Sequence, residues 1–411
     1  MLEQLGINAK KASANLAGAS TELKNKALEA IANALVDNAQ KIIDANKVDY
    51  NAQLGILDGG MLDRLMLDFD RIKGMADGCI QVMKLDDPCG RVLETVERLN
   101  GLVIKKVSCP MGVIGIIYEA RPNVTADAAA LCLKSGNAVI LRGGKEAIHS
   151  NIAISDVMRE AVKSVGIDEN AIQLVHDTSR QSSTELMKMK GTLDCLIPRG
   201  SKRLIQAVVE NASVPVIETG SGNCHIYVDE SANVNMAAEI IFNAKTQRIG
   251  VCNACESLVI HENIIEKALP AIKAKLDEKN VIIRGDEKAR AVCPDIEKAS
   301  EEDFGTEYLD YIISVKTVSS LDEAIEHINK YSTGHSEAII TENKDNADKF
   351  MKLIDSSSVY HNASTRFTDG GEFGLGAEIG ISTQKLHARG PMGLRELTTT
   401  KYLIFGDGQI R

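Results

Sequence analysis

The stretch around Cys252 contains the residue types that covalent thiol chemistry needs. A helical pattern ends near Gly250, Cys252 follows, and a strand-like run begins at Leu258. Backbone N–H groups at such a turn, together with Arg248, would favour the thiolate, and thiolates attack acyl carbons to give thioesters. A buried, unreactive cysteine is the alternative and the usual state of an unpaired thiol. The sequence therefore predicts a candidate nucleophile and leaves the structural role open.

Cys255 follows three residues later and offers two other readings of the same turn. A Cys-x-x-Cys pair can form a redox couple or contribute half of a zinc site. A structural zinc site needs four ligands in paired spacing, and the sequence contains no second Cys-x-x-Cys. His261 alone does not complete the set, so we expect no metal site here.

Three further polar residues follow predicted strands or lie in predicted loops. Glu218, after the strand-like run 214–217, could be a general base or contact a ligand, and a solvated loop carboxylate is the alternative. Asn123, after the apolar run 113–117, could donate its amide N–H to a developing oxyanion or stabilise a turn. His335 could contact a ligand or be an ordinary loop histidine with satisfied hydrogen bonds.

Two turns have the features of anion sites. The segments 141–145 and 198–202 each follow a strand-like run, contain glycine and basic residues, and open a helical pattern. Backbone N–H groups at a helix N-terminus beside a cation favour a phosphate. Neither segment matches the phosphate loop G-x-x-x-x-G-K-[ST], and glycines in 374–380 only superficially resemble a Rossmann fingerprint. A nucleotide bound here would therefore be held in a non-standard way.

The elements that must position these residues follow an alternating pattern. The first 90 residues predict helices, after which about eleven short β-branched runs alternate with amphipathic helical segments. This alternation predicts an α/β fold, and the number of strands favours two parallel-sheet domains. The segment 96–113 predicts a hairpin, and 397–405 predicts a strand that pairs with it or with a second subunit.

Composition excludes several classes of protein. The chain has 411 residues, with 47 Lys and Arg against 57 Asp and Glu, a net charge of −10. This balance argues against a general nucleic-acid binder. Apolar runs are too short for a membrane span, the first eleven residues lack a signal-peptide pattern, and nine cysteines do not suit a secreted disulfide framework. We expect a cytoplasmic protein without nucleic-acid or membrane partners.

Four motifs together resemble the aldehyde dehydrogenase superfamily, over nearly the whole chain. They occupy 112–125, 244–254, 331–339 and 362–370, and their order is more specific than any one motif. The resemblance implies an aldehyde dehydrogenase-like α/β fold of two parallel-sheet domains with a small β oligomerisation arm. The expected parts are a cofactor-binding domain (1–95 and 114–228), a catalytic domain (229–380) and an arm (96–113 and 396–411).

The resemblance also assigns roles to single residues. Cys252 takes the place of the catalytic cysteine and Asn123 that of the oxyanion-hole asparagine, whereas Cys255 becomes structural. Ile249 departs from the proline usual in close relatives, which leaves the shape of this turn open. The residues expected to bind the cofactor are Arg142, Gly200, Ser201, Glu218 and Glu307. We expect Arg121 and Arg366 to bind substrate, because guanidinium forks suit a carboxylate and a phosphate, and a surface or interdomain salt bridge is the alternative for each. His335 is also expected to bind substrate.

The activity implied by the resemblance is reduction of L-glutamyl 5-phosphate by NADPH to L-glutamate 5-semialdehyde, with release of phosphate, in proline biosynthesis. The expected cofactor is NADP and the expected assembly a homo-oligomer. Two rival interpretations remain. One is an aldehyde-oxidising dehydrogenase that uses NAD and a water-activating Glu218, and the other is a catalytically silent scaffold or binding protein.

Overall fold

The computed structural model describes residues 2–57 and 59–411, which divide into two units. The first unit comprises the chain up to Thr219 together with 374–380 and 392–411, and the second comprises 220–373 and 381–391. The boundary expected after residue 228 is wrong, because the strand Cys224–Val228 is hydrogen-bonded into the sheet of the second unit. Residues 374–380, expected in the catalytic domain, belong to the first unit.

Up to Thr219 the first unit contains nine α-helices and six strands, in this chain order, among the residues described. They are α1 (Leu2–Leu16), α2 (Thr21–Asp37), α3 (Ala39–Gln53), α4 (Gly59–Leu65), α5 (Phe69–Lys84), β1 (Val92–Glu97), β2 (Val103–Pro110), β3 (Val113–Tyr118), α6 (Asn123–Lys134), β4 (Ala138–Arg142), α7 (Ile148–Ser164), β5 (Ile172–Leu174), α8 (Arg180–Met187), β6 (Cys195–Arg199) and α9 (Lys202–Asn211).

The second unit follows the same alternation. Two three-residue strands come next, and an eight-residue strand that belongs to the first unit closes the chain. The elements are β7 (Cys224–Val228), α10 (Val234–Thr246), β8 (Cys255–His261), α11 (Ile265–Asp277), β9 (Ile282–Gly285), α12 (Glu287–Val292), β10 (Glu297–Lys298), β11 (Ile312–Val318), α13 (Leu321–Tyr331), β12 (Ser336–Ile340), α14 (Lys344–Leu353), β13 (Ser358–His361), β14 (Gly380–Ser382), β15 (Gly390–Met392) and β16 (Thr398–Phe405).

Each unit is built on a parallel sheet, as predicted. The first sheet has the order β5-β4-β3-β6, and every residue of β3 is buried. The second has the order β10-β9-β11-β8-β7-β12-β13. Apolar side chains of α10 and α11 pack in one core of the second unit, and those of α13 and α14 pack in another. The carboxyl ends of β3, β4 and β6 share one edge, so the loops that follow them lie at the same side of the first sheet.

One predicted strand, 214–217, forms only a single bridge. Val216 pairs with Leu196, and the Leu196 N–H donates to the Pro215 carbonyl at 2.8 Å. Pro215 has no N–H to continue a ladder, so the stretch stays an extended edge segment.

The hairpin and the C-terminal strand pair within the chain. β2 pairs with β1 and with β16 in an antiparallel sheet, in a register from Val103 opposite Phe405 to Pro110 opposite Thr398. After Thr398 every residue of β16 is exposed. Within the described residues, no helix is long and apolar enough to cross a membrane.

Candidate active site

Cys252 lies in the turn between α10 and β8 and is partly buried. Its carbonyl oxygen accepts a hydrogen bond from Cys224 Sγ at 3.1 Å. A Cβ atom at Gly222 would overlap that carbonyl and would lie 2.7 Å from the Cys252 Cα. Glycine at position 222 therefore lets the chain just before β7 pack directly against the backbone of Cys252.

The segment that packs against Cys252 is itself held by side chains. Glu307 Oε1 accepts the Gly222 N–H at 2.7 Å. The Asn223 amide donates to the Phe304 carbonyl at 2.8 Å and to the Tyr331 carbonyl at 2.9 Å. The structure thus connects Glu307 to the Cys252 turn through Gly222, a contact that the sequence analysis missed, and the expected contact of Glu307 with a ribose stays a prediction.

Arg366 lies beside the same turn. Its guanidinium donates to Asn253 Oδ1, and its Nε donates to Gln247 Oε1 at 2.9 Å. Asn253 Nδ2 in turn donates to the Thr368 carbonyl at 2.8 Å. Burial, and then the charge of Arg248, lowers the pKa of Arg366. The guanidinium of Arg366 is therefore held by residues that lie on both sides of Cys252 in the sequence, and its expected contact with substrate stays a prediction.

The two neighbouring thiols, Cys224 and Cys255, are more deeply buried than Cys252. Cys224 and Cys255 are fully buried, and burial raises the pKa of both well above the ordinary thiol range. Cys255 belongs to the apolar core of the second unit. Among the described residues no group of three His, Cys, Asp or Glu side chains could hold a metal ion. Of the three thiols in this region, Cys252 is the one that is not fully buried.

His335 is fully buried near Cys224. Its Nδ1 lies 2.8 Å from Ser336 Oγ and 3.8 Å from Cys224 Sγ. Burial lowers the pKa of His335 to about 4, so the ring is neutral near pH 7. Its Nε2 has no hydrogen-bond partner within the described parts of the chain. The expected contact of His335 with substrate stays a prediction, since the ring is not exposed in this structure.

The turn that contains Gly200 and Ser201 holds an anion from the chain itself. Ser201 caps α9, and its N–H donates to Glu119 Oε2 at 2.7 Å. A Cβ atom at Gly200 would overlap this carboxylate. Glu119 directly follows β3 at the same sheet edge, a signal that the sequence analysis did not use. A turn that binds a carboxylate in this way has the donors that a cofactor phosphate requires.

Arg142 ends β4 and contacts a neighbouring loop. Its guanidinium donates to the Thr178 carbonyl at 2.7 Å and to the Ser179 carbonyl at 2.9 Å. Burial lowers its pKa, and its Nε lies buried with no partner among the residues described. The guanidinium therefore supports the loop after β5, and its contact with the cofactor stays a prediction.

The remaining candidates are partly buried residues of the first unit. Asn123 is the first residue of α6, and its Nδ2 donates to Asp127 Oδ2 at 2.9 Å. Burial raises the pKa of Asp127 to about 6. Arg121 lies in the loop before α6, and Glu218 follows the extended segment 214–217. The oxyanion, substrate and cofactor roles expected of Asn123, Arg121 and Glu218 stay predictions.

Two parallel-sheet units and a cysteine turn before a strand of the second sheet define the class of protein. The chain belongs to the aldehyde dehydrogenase family, whose model matches residues 3–304 and 289–402.

More specific similarity comes from relatives that carry one shared name. A gamma-glutamyl phosphate reductase of Lachnospira eligens is 59% identical over 411 residues, which cover 100% of this chain and 99% of the relative. One from Caldanaerobacter subterraneus subsp. tengcongensis is 58% identical over 404 residues, 98% of each chain. The crystal structure of the gamma-glutamyl phosphate reductase of Thermotoga maritima matches with a TM-score of 0.98 at 49% identity, covering 99% of each chain. The family resemblance seen in the motifs is confirmed.

Proposed function

We propose that this chain reduces L-glutamyl 5-phosphate to L-glutamate 5-semialdehyde, releasing phosphate, in proline biosynthesis. Relatives named for this substrate match at 59% and 58% identity across nearly their whole length, which supports the proposal. The structural observation that carries it is the Cys252 turn, where a partly exposed thiol sits on a backbone packed against Gly222 and beside Arg366.

Cys252 supplies the covalent step. Its thiolate attacks the C5 acyl carbon, the bond from that carbon to the phosphate oxygen breaks, and phosphate leaves with the electron pair. The product is a thioester on Cys252. The hydride that reduces the acyl carbon would come from NADPH when it is bound. The C–S bond then breaks, the aldehyde leaves, and the thiolate is restored.

Arg366 binds the substrate in this proposal. A guanidinium can bind a carboxylate or a phosphate with two parallel hydrogen bonds. Because Asn253 and Gln247 already fix the guanidinium, little rotamer entropy is lost when an anion binds. Arg121 and His335 are proposed as further substrate residues, and Asn123 as the amide that stabilises the acyl oxyanion.

The cofactor is proposed to be NADP, held by Arg142, Gly200, Ser201, Glu218 and Glu307. The Ser201 N–H already donates to the Glu119 carboxylate, so the turn is equipped to bind a phosphate oxygen. The glycine at 200 leaves the space that this anion needs. Comparison of turnover with NADP and with NAD tests the choice of nucleotide, and faster turnover with NAD would contradict it.

Oxidation of L-glutamate 5-semialdehyde tests the proposal in the reverse direction. With inorganic phosphate or arsenate present, we expect NADP-dependent turnover, because either anion can take the acyl group from Cys252. Without them the reaction should stop after one acylation per site. Formation of glutamate at the same rate without phosphate would contradict the proposal and favour a hydrolytic, NAD-using dehydrogenase.

Cytoplasmic location and a homo-oligomer complete the proposed function. The oligomer would form through the sheet β1-β2-β16, where Tyr402, Ile404 and Phe405 are exposed and could pack against a second copy. Light scattering of Tyr402→Ser/Ile404→Ser should show smaller particles than the wild type, and an unchanged mass would remove this sheet from the interface.

A further inference from the structure

The turn that contains Cys252 begins and ends at two oppositely charged, completely buried side chains. Lys245 is in the last turn of α10, and Glu256 is the second residue of β8. Lys245 Nζ donates to Glu256 Oε2 at 2.5 Å, and neither side chain is exposed. The ion pair therefore joins the two ends of the segment 246–255, in which Cys252 lies.

The ion pair is also connected to the segment 307–309, which contacts the chain packed against Cys252. The second oxygen of the carboxylate, Glu256 Oε1, accepts the Leu309 N–H at 3.2 Å. Leu309 has a φ of 55°, a backbone conformation that leucine rarely adopts and that surrounding contacts must hold. Two residues earlier, Glu307 accepts the N–H of Gly222, whose backbone packs against Cys252.

A gain in folding stability does not by itself explain why a buried ion pair is present at this position. Removing two charges from water costs several kcal/mol per ion in real proteins, and well-packed apolar residues of similar volume often give equal or greater stability. What apolar residues cannot supply is the directional hydrogen bond that sets the spacing between Lys245 and Glu256.

We propose that Lys245 and Glu256 are positioning residues that close the ends of the Cys252 turn and thereby fix the orientation of its thiol for attack. This inference rests on the proposed function only for the role of Cys252 as nucleophile. Neither residue contacts the substrate or cofactor in the proposal, and both act through the backbone of 246–255 and through Leu309.

Single variants test the inference by two independent readouts. Lys245→Met and Glu256→Gln should each lower kcat of phosphate-dependent semialdehyde oxidation by about tenfold or more, while KM for the nucleotide changes less than about twofold. The second readout is the rate at which iodoacetamide alkylates Cys252, followed by mass spectrometry of its peptide. This rate should change at least about fivefold in both variants, and it needs no substrate. It therefore separates failure of this inference from failure of the proposed function.

The double variant Lys245→Met/Glu256→Leu separates positioning from stability. It leaves no unpaired buried charge, so its melting temperature should be close to that of the wild type. If the pair positions Cys252, kcat and the alkylation rate stay altered although the fold is stable. If kcat and alkylation both return to wild-type values with the melting temperature, the pair is only structural and the inference is overturned.

A matched control comes from the first unit. Lys24 is also buried and pairs with Asp87 at 2.5 Å. Lys24→Met should lower the melting temperature without changing the alkylation rate of Cys252. An equal change in alkylation in Lys24→Met would show that loss of any buried ion pair has this effect and would overturn the inference.

Discussion

Gly222 and Cys252 are packed backbone against backbone, with no room for a side-chain atom between them. A Cβ at position 222 would overlap the carbonyl of Cys252, and the Gly222 N–H is already taken by Glu307 at 2.7 Å. Because the overlapping group is backbone, it cannot move aside as the end of a flexible side chain would. The position of the candidate nucleophile therefore depends on a glycine 30 residues earlier in the sequence.

Substitution of Gly222 tests this dependence. In Gly222→Ala the Cys252 turn has to shift, and we expect kcat to fall by about 100-fold, since misplacement by about 1 Å can have that effect. Gly74→Ala is the control, because a Cβ there meets no atom within 4 Å. The measurement is kcat of both variants by steady-state kinetics, compared at equal folded fraction. Full activity of Gly222→Ala would refute the close packing.

Glu119 is expected to compete with the cofactor. Its carboxylate receives the Ser201 N–H at the N-terminus of α9, where we propose that a cofactor phosphate binds. Glu119→Gln retains the shape and removes the charge, so NADPH should bind about fivefold more tightly, as ~1 kcal/mol of helix-dipole stabilisation predicts. Fluorescence titration measures this, with the exposed Glu22→Gln as control. Weaker binding in Glu119→Gln would show that Glu119 supports the cofactor site instead.

His335 makes the folded state sensitive to acid. Burial lowers its pKa from 6.5 to about 4, so below pH 6.5 the unfolded chain binds a proton that the folded chain does not. This contribution to stability is present above pH 6.5 and is lost as the pH falls toward 4. In His335→Asn, the free energy of unfolding from urea titrations should depend less on pH in this window. The same dependence in the variant would assign the acid sensitivity to other groups.

Arg366 is expected to bind substrate through its fork. Arg366→Lys keeps the charge and loses the paired donors, so KM for the semialdehyde should rise about tenfold, while KM for NADP stays within about twofold. Arg284→Lys is the control, because Arg284 lies on β9 and forms ion pairs with Glu297 of β10 and with Asp303. An unchanged KM for the semialdehyde in both Arg366→Lys and Arg366→Ala would remove Arg366 from the site.

Local pattern was enough to predict most of the fold. Short β-branched runs and helical periodicity predicted the alternation of strands and helices that both units show, because strands such as β4, β8 and β12 are buried along nearly their whole length and helices such as α7 and α10 bury one apolar face. The prediction of a strand at 214–217 was wrong, because Pro215 has no N–H to donate to a ladder of backbone hydrogen bonds. The domain boundary was misplaced because β7 looks the same from sequence whichever sheet it joins.

Single residues of the candidate site could be predicted from the sequence, but the contacts between them could not. Cys252 and Arg366 could be proposed from residue type and motif, whereas the Glu119 contact with Ser201 joins residues 82 apart in sequence. The Lys245–Glu256 pair is local, only 11 residues apart, yet nothing in the sequence indicates that both charges are buried. Burial of a charge depends on the packing of the whole unit, which residue spacing does not report.

The central claim is that Cys252 carries the acyl group. The most direct measurement is mass spectrometry of the protein after incubation with L-glutamate 5-semialdehyde and NADP without phosphate, followed by acid quench and peptide mapping. We expect one glutamyl adduct on the Cys252 peptide, its rapid loss on addition of phosphate, the same adduct in Cys255→Ala, and none in folded Cys252→Ala. An adduct on another residue, or turnover in Cys252→Ala, would contradict the account.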